Sequence, residues 1–398
     1  MINLPRATWT DFYCSGAFTI PSRVESGHLV GSSGSAIGGI DSDNLYVKGF
    51  APIAKGTNPL RSYVTKALGV ATVTIPELSK GTFDELPTAT AGGFIAVAGQ
   101  VDKHGQKNNR MTSMCDYNGY TIGGMAYSYN ESGDDKYFIW RMKGGVAECL
   151  YANEGDYRAM GWITPVPDEW QAELECTHIM GGGHNYSISG RASIGPTAFG
   201  VDLNQVTADV VVEPIKATAF MDYDRAKDHA LFKTKYPELV EQYGFKNTHY
   251  NIVIQDDPNQ SGPEQIPWPD QSEPLGNDIW TVYTNVGCGF IIPGTSTYAV
   301  FGTIRGVEAG MGYRINDDQG KRWPGPASYA QNDWNHHGWL FDVNDFLEVK
   351  AGTKEPQEML PYEYHPIIIP ITTATGISGT SRAPIMGGAV IDNRVYLS

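Results

Sequence analysis

Histidine, tyrosine and arginine fall close together in "CTHIMGGGHNYSISGRASIGP", residues 176–196. His184, Tyr186 and Arg191 form a coherent set for taking the proton beside a uronate carboxylate. Histidine or tyrosine serves as base and acid, and arginine pairs with the carboxylate through two parallel hydrogen bonds. That is the chemistry of a polysaccharide lyase. The same residues also suit a plain tight loop, with Gly181, Gly182 and Gly183 allowing the turn and Arg191 held by local carboxylates or carbonyls. Both readings stay open. Cys176, His178 and His184 have a spacing a metal ion tolerates, but no fourth ligand is marked and no metal is expected.

A second group lies in "KRWPGPASYAQNDWNHHGWLFDV", residues 321–343. Arg322, Trp323, Tyr329, Trp334, His336 and His337 combine aromatic planes with hydrogen-bonding groups. Aromatic faces stack on the C–H patches of sugar rings, so this is the candidate ligand-binding set. The alternative is packing: in a strand, adjacent histidines point to opposite faces, leaving one in the core and one exposed. The acidic pairs Asp41–Asp43, Asp134–Asp135, Asp256–Asp257 and Asp317–Asp318 read as turn caps. They leave an oxygen-ligated Ca2+ open and mark no carboxylate pair of the glycoside hydrolase kind. No cofactor is expected.

The elements that position these residues are strands. Only 18% of the residues are charged, while Gly (46), Tyr (22) and Trp (9) are plentiful, which suits short strands and tight turns. "GGFIAVAGQV" (92–101), "ADVVVEPIKATAF" (208–220), "HYNIVIQDD" (249–257), "DIWTVYTNV" (278–286) and "GCGFIIPGTSTYAVFGTI" (287–304) carry the strongest strand signals. Helices are expected only over 167–174, 224–244 and 344–352. A glycine-bearing turn leading into an apolar strand recurs at 35–49, 120–130, 194–204, 286–302 and 384–398.

Repeated small sheets avoid open edges by closing radially. The expected architecture is therefore all-β: a single propeller over residues 1–398, five-bladed first, with six or seven blades next. Long loops, the Pro-rich 255–278 among them, and a few surface helices would decorate it. N- and C-terminal strands sharing one blade would close the ring.

The net charge of -15 argues against a nucleic-acid surface. No apolar run is long enough for a membrane span. The five cysteines, Cys14, Cys115, Cys149, Cys176 and Cys288, are scattered and read as reduced, mostly buried thiols. "MINLPRATWTDFYCSGAF" has no basic stretch followed by an apolar one. The expectation is a chain made in the cytoplasm without a signal peptide.

"SGAFTIP" (15–21), "GWITPVPDEWQAEL" (161–174), "ISGRASIGPTAFGVD" (188–202) and "GWLFDVNDFLEVKAG" (338–352), the last followed by "LPYEY" (360–364), occur in that order. In this the chain resembles an uncharacterised β-propeller-like protein family found in marine bacteria and phages. The resemblance implies a propeller-like fold and brings no activity with it. Many bacterial members are exported, so the missing leader suggests release by phage lysis, to a virion or the exterior. Two functions follow as expectations. One is a phage virion-associated structural or binding protein, multi-copy or oligomeric, contacting a host surface glycan or a neighbouring virion protein. The other is a polysaccharide-active enzyme, a uronate lyase or a glycoside hydrolase.

Overall fold

The computed structural model describes residues 2–21, 29–30, 37–50, 68–96, 111–126, 137–153, 160–182, 197–211, 215–221, 284–305, 334–359, 361–366, 385 and 387–398. They are mostly strand, with few helices. The first group holds β1 (Leu29–Val30), β2 (Ile37–Asp41), β3 (Asn44–Phe50), β4 (Leu68–Thr74) and β5 (Thr90–Ala96). The second holds β6 (Met111–Tyr117), β7 (Tyr120–Ala126), β8 (Tyr137–Lys143) and β9 (Val146–Asn153). In the third, β10 (Met160–Pro165), α1 (Asp168–Leu174), β11 (His178–Gly182), β12 (Thr197–Val201), α2 (Asn204–Thr207) and β13 (Ala217–Met221) follow in turn. The fourth contains β14 (Thr284–Ile291), β15 (Thr297–Arg305), β16 (Trp334–Asp342), α3 (Val343–Lys350) and β17 (Glu363–Pro366). A hairpin of β18 (Gly388–Ile391) and β19 (Arg394–Leu397) ends the chain.

Within each group successive strands pair antiparallel, except that β1 pairs with β3 rather than β2. The first two groups are fused into a nine-stranded sheet by a short parallel pairing of β2 with β6, Gly38 to Met114 and Gly39 to Cys115. Counting β2 as the leading strand of the first group, since the two-residue β1 only flanks β3, the first strand of each group also lies against the first strand of the next: β6 by β10, β10 by β14, β14 by β18, and β18 by β2. Glycine makes these approaches tolerable. A Cβ on Gly38 would stand 2.3 Å from the Met114 carbonyl oxygen, and one on Gly39 would stand 2.7 Å from Ile391 Cγ1.

Strand alternation then fills the spaces between sheets. Ile163 and Met180 face the second group with Cys115, Ile122 and Leu150, while their neighbours Trp162 and Ile179 face the fourth with Tyr298, Val300 and Trp339. Ala299, Phe301 and Leu340 turn the other way and pack with Val390, Val395 and Leu397 of the hairpin. Ala389 and Tyr396, on the hairpin's opposite side, close on Ile37, Leu45 and Val73. Burial on both faces explains why these strands read as nearly continuous apolar runs.

Several expectations meet this structure directly. Helices form at α1 and α3 as expected, α3 capped by Asp342, whose carboxylate accepts from Asn344 N. The 224–244 helix, the 249–257 strand and the Pro-rich 255–278 lie outside the described residues, as do residues 278–283 of the 278–286 strand. Among the described residues of "ADVVVEPIKATAF", strand begins at Ala217, and Val210 is 80% exposed. Of the five glycine repeats, three are a group's first hairpin (β2–β3, β14–β15, β18–β19), whereas 120–130 falls on a second strand and 194–204 on a third.

The termini meet, but by side-chain packing. Among the described residues β18 and β19 pair only with each other. The N-terminal segment instead forms a strap: Arg6 bonds Asp342, Tyr362 donates its hydroxyl proton to the Ala7 carbonyl, and Trp9 and Phe12 pack with Phe301. A short 3-10 turn at Trp9–Asp11, fixed by Thr8 N donating to Asp11 Oδ2, bends the strap. It then bonds Ser79 and Pro87 near β5, with Phe18 edge-on to Tyr396.

The glycine contacts give a stability contrast. Gly38→Ala is expected to cost about 3 kcal/mol, because the obstacle is backbone that cannot move aside. Gly93→Ala in β5 has nothing within 4 Å of its new Cβ and is expected to be neutral or slightly stabilising. Urea unfolding of both variants checks the pair.

Candidate functional site

The two ends of the sheets differ. At one end β2–β3, β6–β7, β8–β9 and β18–β19 are joined by the two-residue turns Ser42-Asp43, Asn118-Gly119, Gly144-Gly145 and Asp392-Asn393. Positive φ at Asn118 (50), Gly119 (76), Gly144 (59), Gly145 (80) and Asp392 (49) suits hairpin turns that match strand twist. The helices α1, α2 and α3 sit in connections at this same end.

This turn end is tied from sheet to sheet by polar groups. Tyr46 donates to the Asp116 carboxylate, 3.0 Å from either oxygen, and Thr121 Oγ1 stands 3.2 Å from Asp116 Oδ1. Burial raises the Asp116 carboxyl above its usual range, and the two hydroxyls work against that shift. Burial, with the Asp116 charge adding to it, pushes Tyr46 up to about 12. Tyr117 donates to Asn204 Oδ1 at 3.1 Å, and Arg141 donates to the carbonyls of Val206 and Ala208. Trp170 Nε1 reaches the Thr295 carbonyl at 2.8 Å, Gly294 N donates to Glu169 Oε1 at 2.6 Å, and Lys350 pairs with Glu175 at 2.9 Å. Apart from the Thr121–Asp116 bond, which lies within the second group, each tie joins one strand group to its neighbour, so the first four groups share one turn end.

The opposite end receives the other connections. There β3 stops at Phe50 and β4 starts at Leu68; β11 stops at Gly182 and β12 starts at Thr197; β13 stops at Met221 and β14 starts at Thr284; β15 stops at Arg305 and β16 starts at Trp334. This far end is the candidate ligand-facing end, because surface connections on a rigid scaffold are where binding residues concentrate.

The residues singled out by sequence divide accordingly. His184, Tyr186 and Arg191 lie outside the described residues, between the far ends of β11 and β12. Arg322, Trp323 and Tyr329 also lie outside them, between the far ends of β15 and β16. Trp334, His336 and His337 belong to the backbone of β16 and not to a turn: Trp334 pairs with Arg305, His336 with Thr303, and His337 with Gly302 and Pro366. Trp339, two positions on, is fully buried.

Around Cys176 the structure separates what the sequence put together. Cys176 packs with Trp162 and Phe220 toward the fourth group, whereas His178 lies edge-on to Tyr117 of the second group at 4.9 Å. His178 is 3% exposed, with Nδ1 3.0 Å from Thr177 Oγ1, and burial drops it to about 3. It is a neutral packing residue. The turn caps hold at Asp41, which accepts from Asp43 N at 2.8 Å; the pairs at 134, 256 and 317 lie outside the described residues. Among the described residues no cluster of three metal-ligating side chains occurs, and no helix is long and apolar enough to cross a membrane. Cys14, Cys115, Cys176 and Cys288 are free, the last three buried with their thiols shifted up by burial.

Sequence reasoning missed the polar ties. The Asn118-Gly119 pair is a hairpin signal that would have placed Tyr117 and Asp116 at a turn end. Nothing local to Tyr46 or Asn204 announces a partner 70 or 87 residues away.

No family model and no curated protein matches the chain. Among solved structures it is similar to a candidate glycoside hydrolase from Parabacteroides distasonis, at 10% identity and a TM-score of 0.41, covering 100% of this chain and 93% of that one. Two levansucrase variants from B. megaterium are similar at 11% identity, with TM-scores of 0.29 and 0.30, over 85% and 90% of this chain and 73% and 75% of theirs. At these scores the likeness carries no argument about activity.

The buried histidine predicts acid sensitivity. Its pKa is depressed in the folded chain, so between about pH 6.5 and 3 the unfolded state binds a proton that the folded state refuses. Stability is expected to fall through that window by up to about 1.4 kcal/mol per pH unit. In His178→Gln this part of the slope should vanish, as read by urea midpoints at pH 7 and pH 4.

Proposed function

We propose that residues 1–398 form one five-bladed propeller that works as a binding protein, taking a glycan at its far end. In this reading the four groups and the C-terminal hairpin are the blades, and the first strands line the axis. The cyclic order of contacts among β2, β6, β10, β14 and β18 supports the blade count. The single observation that carries the function is the asymmetry of the ends: a turn end tied by hydrogen bonds and ion pairs, and a far end given over to the remaining connections. Of the residues singled out by sequence, 184–191 fall in the chain between the far ends of β11 and β12 and 322–329 between those of β15 and β16, while 334–337 belong to the far end of β16.

The setting we propose is a phage particle displaying several copies, made in the cytoplasm and released by lysis, touching host surface polysaccharide or a neighbouring virion protein. The resemblance to phage and marine bacterial sequences supports that setting. A net charge of -15 fits a partner other than nucleic acid. A second reading keeps the same face and adds chemistry. His184, Tyr186 and Arg191 fall between Gly182 and Thr197, so a lyase or glycoside hydrolase site would also open at the far end.

Retention on immobilised host capsular or surface polysaccharide separates the two. The binding reading expects retention without product; Trp323→Ala and Tyr329→Ala each weaken it about tenfold, equivalent to about 1.4 kcal/mol, and Arg191→Ala leaves it intact. Release of ultraviolet-absorbing unsaturated product, abolished in Arg191→Ala, would replace it with the lyase. Absence of the chain from purified particles together with no retention on any such polymer would remove the proposal.

A further inference from the structure

The turn end carries a cleft of its own. Where the last hairpin meets the first group, Ser42, Asp43, Ile391, Asp392, Asn393, Arg394 and Tyr396 line a cavity of about 330 Å³. We propose that this cleft is a subsite for a single neutral pyranose ring, separate from the far-end site.

Its walls are two adjacent two-residue turns, held at fixed spacing by the seam beneath them. Ile391 packs against Gly39, and Tyr396 is buried with Leu45, Val47 and Phe18 in one apolar cluster. The cleft is therefore a product of the fold's closest packing. Asp43 and Asp392 present carboxylate acceptors for the hydroxyls of a sugar. Ser42 and Asn393 donate and accept, and Arg394 donates toward a ring or glycosidic oxygen. Ile391 and the Tyr396 ring offer the apolar surface that a pyranose C–H face needs.

Two further observations point to a ligand. The Tyr396 hydroxyl is buried at the cleft wall with the Arg394 guanidinium as its hydrogen-bonding neighbour, so the two form one polar pair facing the cavity. A hydroxyl both donates and accepts, so a ligand oxygen in the cleft would bridge this pair. The volume lies at the low end of the usual range for small-molecule sites, about 300 to 1,000 Å³, which admits one ring rather than a stretch of polymer. Two carboxylates against one guanidinium leave the lining slightly negative, which disfavours a uronate and suits an uncharged sugar.

Saturation-transfer NMR on the full chain tests this, with methyl β-D-glucopyranoside, methyl β-D-galactopyranoside and methyl α-D-mannopyranoside as probes. The chain carries Trp323→Ala and Tyr329→Ala, so that the far end is silenced. At least one sugar is expected to show transfer with millimolar affinity. Adding Asn393→Ala or Arg394→Ala should reduce that transfer at least fivefold while the thermal midpoint stays unchanged. No transfer from any of the three sugars, or transfer surviving both substitutions, would overturn the subsite. Polysaccharide retention by Asn393→Ala with the far end intact is expected to be normal, so failure here and failure of the far-end reading are told apart.

Discussion

At Gly38 and Gly39 a side chain has nowhere to go. One would run into the Met114 backbone and the other into Ile391, so β2 is wedged between the first strands of the second group and of the last hairpin. Everything else follows from that convergence. Because the first strands come so close, the proposed propeller has its sheets fanning outward from them, and the space between sheets is filled. Large residues do the filling: Trp162, Tyr298, Trp339 and Phe341 between the third and fourth groups, Phe301 and Leu340 between the fourth group and the hairpin. Removal of this apolar surface from water, at about 25 cal/mol per Å², is the driving force. The glycines set the geometry in which it is realised.

The polar ties at the turn end give the arrangement its register. Apolar packing between sheets tolerates sliding, whereas the Tyr46–Asp116, Tyr117–Asn204 and Trp170–Thr295 bonds each fix one turn against its neighbour. The strap completes the set across the hairpin, from Asp342 of the fourth group through Tyr396 to Pro87 of the first. With one end fixed in this way, the other is free to vary in sequence without disturbing the core. That division of labour underlies the placement of the proposed glycan site at the far end.

Much of the fold was legible because both faces of most strands are buried, which leaves unmistakable apolar runs such as 297–301 and 338–341. The α1 and α3 helices were legible from their Pro and Asp starts. The strap was not: residues 11–21 read as a strand of the closing blade, and only the local bond between Thr8 and Asp11, together with contacts to residues more than 300 positions away, bends the segment across the sheets. The glycine repeat was read one or two strands out of step in the second and third groups, because glycines under aromatic rings, such as Gly123 beneath Trp140, resemble the glycines of the first strands. Of the quoted motifs, 15–21 falls on the strap, 161–174 on β10–α1, 197–201 on β12 and 338–352 on β16–α3, while 188–196 lies outside the described residues. His178 illustrates the limit for sites, since its neighbours in sequence suggested chemistry and its neighbours in space, Tyr117 and Thr177, make it inert.

The most direct measurement is a cross-link across the seam on which the convergence depends. Gly39→Cys and Ile391→Cys, introduced together and oxidised gently, should yield an intramolecular disulfide joining peptides from the two ends of the chain, identified by mass spectrometry after non-reducing digestion. Failure of that bond to form in a folded monomer, with the two thiols instead modified independently, would contradict the convergence of β2 and β18 and the ring proposed from it.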